Sequence, residues 1–148
     1  MILRRYPRAY RLVPPISNED RALANLRSLM TFEETYFAEK NEYAQNLSDL
    51  IEYCGPALAA SDVTPVYGYL FKILKGQGAN VPDGAKSYLN GEQMIYGYAL
   101  LSYPQTHNVD GVHTFTSYYV GNKWKKDLGT DDPSSITLYN PDGTWTEI

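Results

Sequence analysis

The sequence is poor in the side chains that most enzymes use for catalysis and metal binding. Its 148 residues include one cysteine, Cys54, and two histidines, His107 and His113. A single cysteine cannot form an internal disulfide, so we interpret Cys54 as a buried, unreactive thiol. On an extended strand, the spacing of the histidines corresponds to roughly 20 Å, which disfavours a shared zinc ion.

Long apolar runs and a strong positive charge are also missing. The richest apolar stretch, Met94 to Leu101, is far shorter than the roughly 18 residues of a transmembrane helix, so we expect no span in this chain. The N-terminus lacks the apolar centre of a signal peptide, which implies action at the place of synthesis or an export segment outside this numbering. A net charge of −4 predicts no nucleic-acid partner, and 43% hydrophobic residues indicate a globular domain.

Motifs that would indicate a cofactor are absent as well. Gly76-Gln77-Gly78 lacks both the following helix and the Lys-Ser/Thr pair of a phosphate-binding loop. Several oxygen-bearing side chains lie near Gly or Pro but do not form the alternating loop of an EF-hand: Asp110, Asp131, Asp132, Asn140 and Asp142. We interpret them as turn residues. The sequence therefore predicts no cofactor, no metal ion and no catalytic residue.

The first 16 residues differ in composition from the rest of the chain. They contain four arginines and three prolines, and no acidic residue precedes Glu19. We therefore predict a basic extended arm over residues 1–16, followed by a single domain over residues 17–148. Guanidinium groups bind carboxylates and phosphates, and tyrosines add apolar contact. The predicted partner-binding residues are Arg4, Arg5, Tyr6, Arg8, Tyr10 and Arg11. The alternative is that the arm folds back on its own acidic domain.

A helix is predicted from about Asn18 to Lys40. Ser17 or Asn18 can cap it, and acidic residues occupy its first turn, near the positive end of the helix dipole. Its apolar residues recur at helical spacing: Leu23, Leu26, Leu29, Met30, Tyr36 and Phe37. We expect Leu26, Met30 and Phe37 to contact a sheet. Glu33 and Glu34 lie in the middle of the helix, where a carboxylate usually belongs to the solvated face, but Glu33 is close to the apolar stripe and has burial or pairing as its alternative. A short second helix over 47–53 should end at Gly55-Pro56.

After Pro65 the apolar period changes to two, which indicates strands. We predict strands over Val66–Leu74, Met94–Tyr103 and Val112–Val120, with a loop over 76–91. A Gly121-Asn122 turn should lead into a returning strand over 123–128. The predicted fold class is α+β, with an N-terminal amphipathic helix packed on an antiparallel, tyrosine-rich sheet. Because both sheet faces carry apolar residues, the helix should cover one, and the chain's own loops or another protein should cover the other.

Two segments resemble known families. The segment Asn25–Tyr43, with Leu47–Leu50, resembles the visible half of the long helix in type IV pilins and type II secretion pseudopilins, whose helix also precedes a small antiparallel sheet. About the last 85 residues resemble the bacterial family known as domain of unknown function 2950. The matching motifs are Tyr67–Leu74, Gly76–Gly78, Pro82–Tyr88, Gly91, Met94–Pro104, Gly111–Phe115 and Lys126–Gly129. The resemblance implies an exported or envelope-associated protein without an assigned activity.

Together these features predict a non-catalytic structural or interaction subunit of a bacterial envelope-associated assembly. We expect it on the periplasmic or extracellular face, with other protein subunits at a membrane surface as partners. The basic arm is the predicted dock, and an apolar sheet face is a second candidate surface. One alternative is a self-assembling, pilin-like filament subunit, and a less favoured one is a small enzyme of unknown activity.

Overall fold

A computed structural model describes residues 16–148. The predicted arm lies almost wholly outside this range, and so do all six of its predicted partner-binding residues. The described chain consists of one long helix, a short helix and a five-stranded antiparallel sheet. Its buried side chains form one hydrophobic cluster that extends from Ala22 to Tyr139. The predicted α+β class is confirmed. Within residues 16–148, no helix is both long and apolar enough to cross a bilayer.

The long helix α1 spans Asn18–Lys40, as the apolar spacing predicted. The Ser17 hydroxyl caps it by accepting a hydrogen bond from the Asp20 backbone N–H at 3.0 Å. The helix ends at Asn41, whose φ of 60° places it in the left-handed region. Both ends therefore follow ordinary capping chemistry.

The buried face of α1 is rotated from the predicted one. Its fully buried residues are Ala22, Leu26, Leu29 and Glu33. Met30 reaches the sheet, where its sulfur accepts a hydrogen bond from the Ser117 hydroxyl at 3.2 Å. Phe37 is only half-buried, and its ring packs on Tyr43 with centroids 4.6 Å apart. The expectation that Phe37 lies in the helix–sheet contact is therefore wrong, because the helix end packs against its own exit segment.

The second helical region is longer than predicted. A 3-10 turn at Leu47–Leu50 leads directly into helix α2, Ile51–Ala59. Gly55 interrupts α2 with a φ of 80°. Pro56 then starts a further helical turn, since its fixed φ suits the first turn of a helix. The predicted end at Gly55-Pro56 is thus a kink within the helical region.

In the described range, nine strands follow in chain order. They are β1 Tyr69–Leu74, β2 Gly76–Gln77, β3 Lys86–Ser87, β4 Leu89–Asn90, β5 Gln93–Met94, β6 Ala99–Pro104, β7 Thr114–Tyr118, β8 Lys123–Lys126 and β9 Thr146–Glu147. The main sheet has the order β1-β6-β7-β8-β9, and every pair in it is antiparallel. Two short ladders, β2–β3 and β4–β5, lie outside it.

The strand boundaries correct the predicted ones. The first strand starts at Tyr69, because Tyr67 and Gly68 have φ values of 47° and 80° and form a turn. The second predicted strand is broken at Gly97, so Met94 pairs with Leu89 instead of joining the main sheet. The segment 76–91, predicted as a loop, contains three of the short strands.

The hairpin after β7 connects the predicted strands but turns earlier than predicted. The Gly121 backbone N–H donates to the Tyr118 carbonyl at 2.8 Å, which places Tyr119 and Val120 at the centre of the turn. The returning strand β8 is correspondingly short and ends at Lys126.

The two faces of the sheet have different covers, and both belong to this chain. One face, which includes Ser117, carries α1. The opposite face is covered by residues 132–145, which we call the tail segment. The Lys72 ammonium holds this segment by donating to the carbonyls of Ser134 and Ile136, at 3.1 and 2.7 Å. The expectation that the chain's own loops cover the second face is confirmed over the centre of the sheet.

Candidate functional site: an aromatic cleft

An open cleft of about 570 Å³ lies between the tail segment and one end of the sheet. Four aromatic residues define it, Tyr118, Trp124, Tyr139 and Trp145, and we call it the aromatic cleft. The two tryptophans are the only ones in the sequence. Pro82 and Pro141 add further apolar surface, and Asn80, Asn122 and Asp142 form a polar rim.

The floor of the cleft is a stacked pair of tyrosines. The rings of Tyr118 and Tyr139 lie 4.2 Å apart at an interplanar angle of 10°. Tyr118 ends strand β7, and Tyr139 belongs to the tail segment. The indole N–H of Trp124 donates to the Tyr139 hydroxyl at 2.7 Å, which fixes the orientation of the indole. Since both tyrosines are buried, the floor is held by the core of the domain.

The tail segment reaches its position because two glycines let it approach β2. Tyr139 exchanges backbone hydrogen bonds with Gly76 and Gly78, at 3.0 and 2.9 Å. A Cβ atom on Gly78 would lie 2.2 Å from Cγ of Asn140, so a side chain there would collide with the tail. The Gly76-Gln77-Gly78 motif therefore forms a docking edge for residues 139–140.

Gln77, between these glycines, is buried and fully bonded. Its amide nitrogen donates to Oδ1 of Asp83 at 2.9 Å and to the Gly84 carbonyl at 2.7 Å. Its amide oxygen accepts from the Tyr88 hydroxyl at 2.9 Å. These bonds hold the segment 78–84, which carries Asn80 and Pro82, against the rest of the domain. The Gln77 amide thus links the cleft wall to Tyr88 in the core, and the buried side chain of Val81 anchors the same segment.

Each rim side chain has a polar partner and further hydrogen-bonding capacity left over. The Asn122 amide nitrogen donates to Oε2 of Glu147 at 2.8 Å. The Asn80 amide nitrogen points to the Asn140 carbonyl at 3.4 Å. Oδ1 of Asp142 accepts hydrogen bonds from the Thr144 hydroxyl and backbone N–H, which lower the pKa of Asp142. The rim therefore presents hydrogen-bond acceptors, one of them ionised, and the second N–H of each asparagine amide as a donor.

The two histidines lie at separate places and each pairs with a carboxylate. Nε2 of His107 is 2.7 Å from Oδ1 of Asp127, and Nδ1 of His113 is 2.8 Å from Oε1 of Glu19. Glu19 also accepts from the Val112 backbone N–H at 2.9 Å, so it ties the start of α1 to the chain before β7. Burial alone would raise the pKa of Glu19, but the bonds from Val112 and His113 outweigh it and lower the pKa.

Two of the acidic residues interpreted as turn residues accept backbone hydrogen bonds within turns. Oδ1 of Asp132 accepts from the Ser134 backbone N–H at 2.9 Å, and Oδ2 of Asp110 accepts from that of Thr106 at 3.0 Å. Both contacts confirm the interpretation as turn residues. No group of three or more His, Cys, Asp or Glu side chains in the described part of the chain is arranged to hold a metal ion. Cys54 is half-buried instead of buried, and burial raises the pKa of its thiol.

A family model described as a protein of unknown function, DUF2950, matches residues 32–148. The chain belongs to this family. The matched range contains all nine strands, the tail segment and every residue of the aromatic cleft, so the cleft is part of the DUF2950 domain itself. No curated protein matches the chain.

No sequence pattern indicated the cleft of this DUF2950 protein. The available signal was that both tryptophans, Trp124 and Trp145, fall in the last strands and the turn-rich tail. The lining comes from three separate stretches, near residues 80–82, 118–124 and 139–145, which no local pattern joins. Only the packing of the tail segment on the sheet brings them together.

Proposed function

We propose that this DUF2950 protein is a non-catalytic binding subunit of a bacterial envelope-associated assembly. In this proposal the aromatic cleft holds a ligand, and the basic arm of residues 1–16 docks the domain to other protein subunits at a membrane surface. The aromatic cleft carries the proposal. It combines an apolar aromatic floor with a few polar side chains, which is the usual composition of a ligand pocket.

The ionisable groups favour binding over acid–base chemistry. Glu33, Glu19 and His113 have structural partners inside the fold, away from the cleft. Asp142, at the cleft rim, has a pKa below its usual range because Thr144 donates two hydrogen bonds to it. A general base works best with a pKa near the operating pH, so such a carboxylate is a weak one. It remains well suited to accept hydrogen bonds from a ligand.

The composition of the arm supports the docking part of the proposal. Its four arginines can each make charge-assisted bonds with carboxylates or phosphates, and no neighbouring carboxylate in residues 1–16 competes for them. The rest of the chain is acidic enough to give a net charge of −4, so the positive charge of the arm is local. Attraction of this kind weakens as salt rises.

The test compares the full chain with a variant that lacks residues 1–16 and with a variant in which Arg4, Arg5, Arg8 and Arg11 are alanine. Each is incubated with phosphatidylglycerol vesicles and, separately, tagged and recovered from the envelope fraction of bacterial cells. We expect the parent to float with the vesicles at low salt, or to copurify with protein subunits at a fixed ratio. Both variants should lose this association while circular dichroism shows them folded.

Two outcomes would contradict the proposal. Equal association of parent and arm variants would show that residues 1–16 are not the dock. Sedimentation of the purified parent alone as long polymers would favour a filament subunit instead.

A further inference from the structure

We infer that the aromatic cleft binds a neutral oligosaccharide, whose pyranose rings stack on the tryptophans and whose hydroxyl groups donate to the rim. This inference rests on the proposed binding function and names its ligand class. Three observations carry it: the half-buried indoles, the combination of free donors and acceptors in the cleft, and the excess of carboxylates over ammonium groups at its rim.

The indoles offer the flat apolar surface that sugar rings need. Trp124 and Trp145 are both half-buried, whereas Tyr118 and Tyr139 beneath them are buried. A pyranose ring with equatorial hydroxyls has apolar C–H faces, which pack against aromatic rings in the same way as other apolar groups do. The cleft volume of about 570 Å³ lies within the range of small-ligand pockets and suits a short oligosaccharide.

The hydrogen-bonding groups distinguish a sugar from a proline-rich peptide, the other common ligand of aromatic grooves. A proline-rich peptide offers mainly carbonyl acceptors, because proline has no N–H, so its site must supply donors. Here the cleft offers donors as well as acceptors. The N–H of Trp124 is engaged by Tyr139, but the indole N–H of Trp145 and the Tyr118 hydroxyl make no hydrogen bond within residues 16–148. The amide oxygen of Asn122 and Oδ2 of Asp142 also have no partner there. A proline-rich peptide would leave these two oxygens without a donor, whereas sugar hydroxyl groups both donate and accept and so match both kinds of group.

The charge at the rim selects against an anionic ligand. Thr144 holds Asp142 ionised, and the Glu147 carboxylate lies 2.8 Å from the Asn122 amide nitrogen. One ammonium group, that of Lys126, lies beside them and donates to the Thr144 hydroxyl at 2.8 Å. An anionic sugar or a phosphate would therefore meet two carboxylates and only one ammonium group at close range. A neutral saccharide avoids this repulsion and can use the carboxylates as acceptors.

The test uses the full chain and titrates it with cellohexaose, chitohexaose, polygalacturonate and a polyproline peptide. Binding is measured by intrinsic tryptophan fluorescence, which reports only on the cleft because both tryptophans line it. Isothermal calorimetry gives the affinity independently. We expect at least one of the two neutral oligosaccharides to bind, and polygalacturonate and the peptide not to bind.

Variants locate the binding. Trp145→Ala should weaken the affinity for the oligosaccharide about tenfold or more, because it removes one stacking surface. Asn122→Ala, at an exposed position, should weaken it without a risk to folding. Tyr96→Ala is the matched control, since Tyr96 is 50% exposed and lies outside the cleft. It should bind as the parent does.

Each contrary result has its own meaning. If neither neutral oligosaccharide binds, or if all three variants bind equally, the inference is overturned. If only the peptide or only the polygalacturonate binds, the inference is overturned while the proposed binding function stands. If an oligosaccharide binds and chromatography shows that it is cleaved, the inference stands and the non-catalytic function fails.

Discussion

The Glu33 carboxyl group, in the middle of α1, accepts a hydrogen bond from the Ala44 backbone N–H at 2.6 Å. The bond fastens the segment that follows α1 back onto the helix. Glu33 is completely buried, and its second oxygen, Oε2, has no hydrogen-bond partner among residues 16–148. Burial in this position raises the pKa of Glu33 to about 9, so the carboxyl group is protonated in the folded protein at neutral pH.

The raised pKa predicts that the protein loses stability as the pH rises. The unfolded chain releases the Glu33 proton near 4.5, whereas the folded protein keeps it up to about 9. The contribution of Glu33 to the free energy of unfolding is therefore fully present below pH 4.5, and it declines steadily up to about pH 9. Glu33→Gln keeps the shape and carries no proton to release. Urea unfolding over this pH range should show a flatter dependence for Glu33→Gln than for the parent.

Glu34→Gln is the control for this prediction, because Glu34 is the exposed neighbour on the same helix. It should keep the steeper pH dependence of the parent. Identical slopes for the parent and Glu33→Gln would show that Glu33 is ionised in the folded protein.

Because the buried face of α1 includes Leu26 but not Phe37, truncating these two side chains should lower the free energy of unfolding by different amounts. Leu26 is fully buried in the core, so Leu26→Ala should destabilise the domain by about 2–5 kcal/mol. Phe37 is half-buried against Tyr43, so Phe37→Ala should cost less than the about 3–5 kcal/mol of a buried phenylalanine. The denaturant midpoints, compared at an unchanged m-value, give the change in free energy of unfolding for each variant. A larger loss for Phe37→Ala than for Leu26→Ala would restore the predicted helix face.

The sequence predicted the elements whose signals are local. The apolar spacing of α1 and the capping chemistry of Ser17 predicted both ends of the helix, because each signal lies within one turn. The alternation of apolar residues with a period of two predicted that strands are present. It did not predict where each strand begins and ends. Gly97 breaks a continuous apolar run at the point where a Cβ would lie 2.6 Å from the Tyr119 ring. The restriction comes from Tyr119, which lies further along the chain, so the sequence around Gly97 does not reveal it.

The aromatic cleft could not be predicted from the sequence for the same reason. The stack of Tyr118 on Tyr139 joins a strand end to the tail segment, and Gly78 matters only once the tail lies beside it. Polar and turn-forming residues in the tail predicted loops, which they do form. The surface that these loops build with the sheet is a product of tertiary packing.

Gly78 should be required for the position of the tail segment. The Cβ of Gly78→Ala would lie 2.2 Å from Cγ of Asn140, so the Asn140 amide must move and give up its hydrogen bond from the Asn80 backbone N–H. We expect a loss of about 1–3 kcal/mol from this crowding, together with a change in tryptophan fluorescence as the cleft opens. Gly143→Ala is the matched control, since a Cβ there meets nothing within 4 Å. Similar stability and spectra for the two variants would contradict the docking role of Gly78.

The hydrogen bond from the Trp124 indole N–H to the Tyr139 hydroxyl should stabilise the folded domain. Tyr139→Phe keeps the ring that stacks on Tyr118 but leaves the Trp124 N–H without its acceptor at 2.7 Å. We expect a loss of about 1–2 kcal/mol, because a partly buried donor is left unpaired.

A double-mutant cycle isolates this bond. In a Trp124→Phe background the donor is absent, so Tyr139→Phe should then cost much less, with a coupling energy of about 0.5–1.5 kcal/mol. Tyr96→Phe, combined with Trp124→Phe, provides the additive reference, because Tyr96 lies outside the cleft. If the Trp124 and Tyr139 substitutions are also additive, the bond does not hold the indole. The orientation of Trp124, on which ring stacking in the cleft depends, must then be fixed by packing alone.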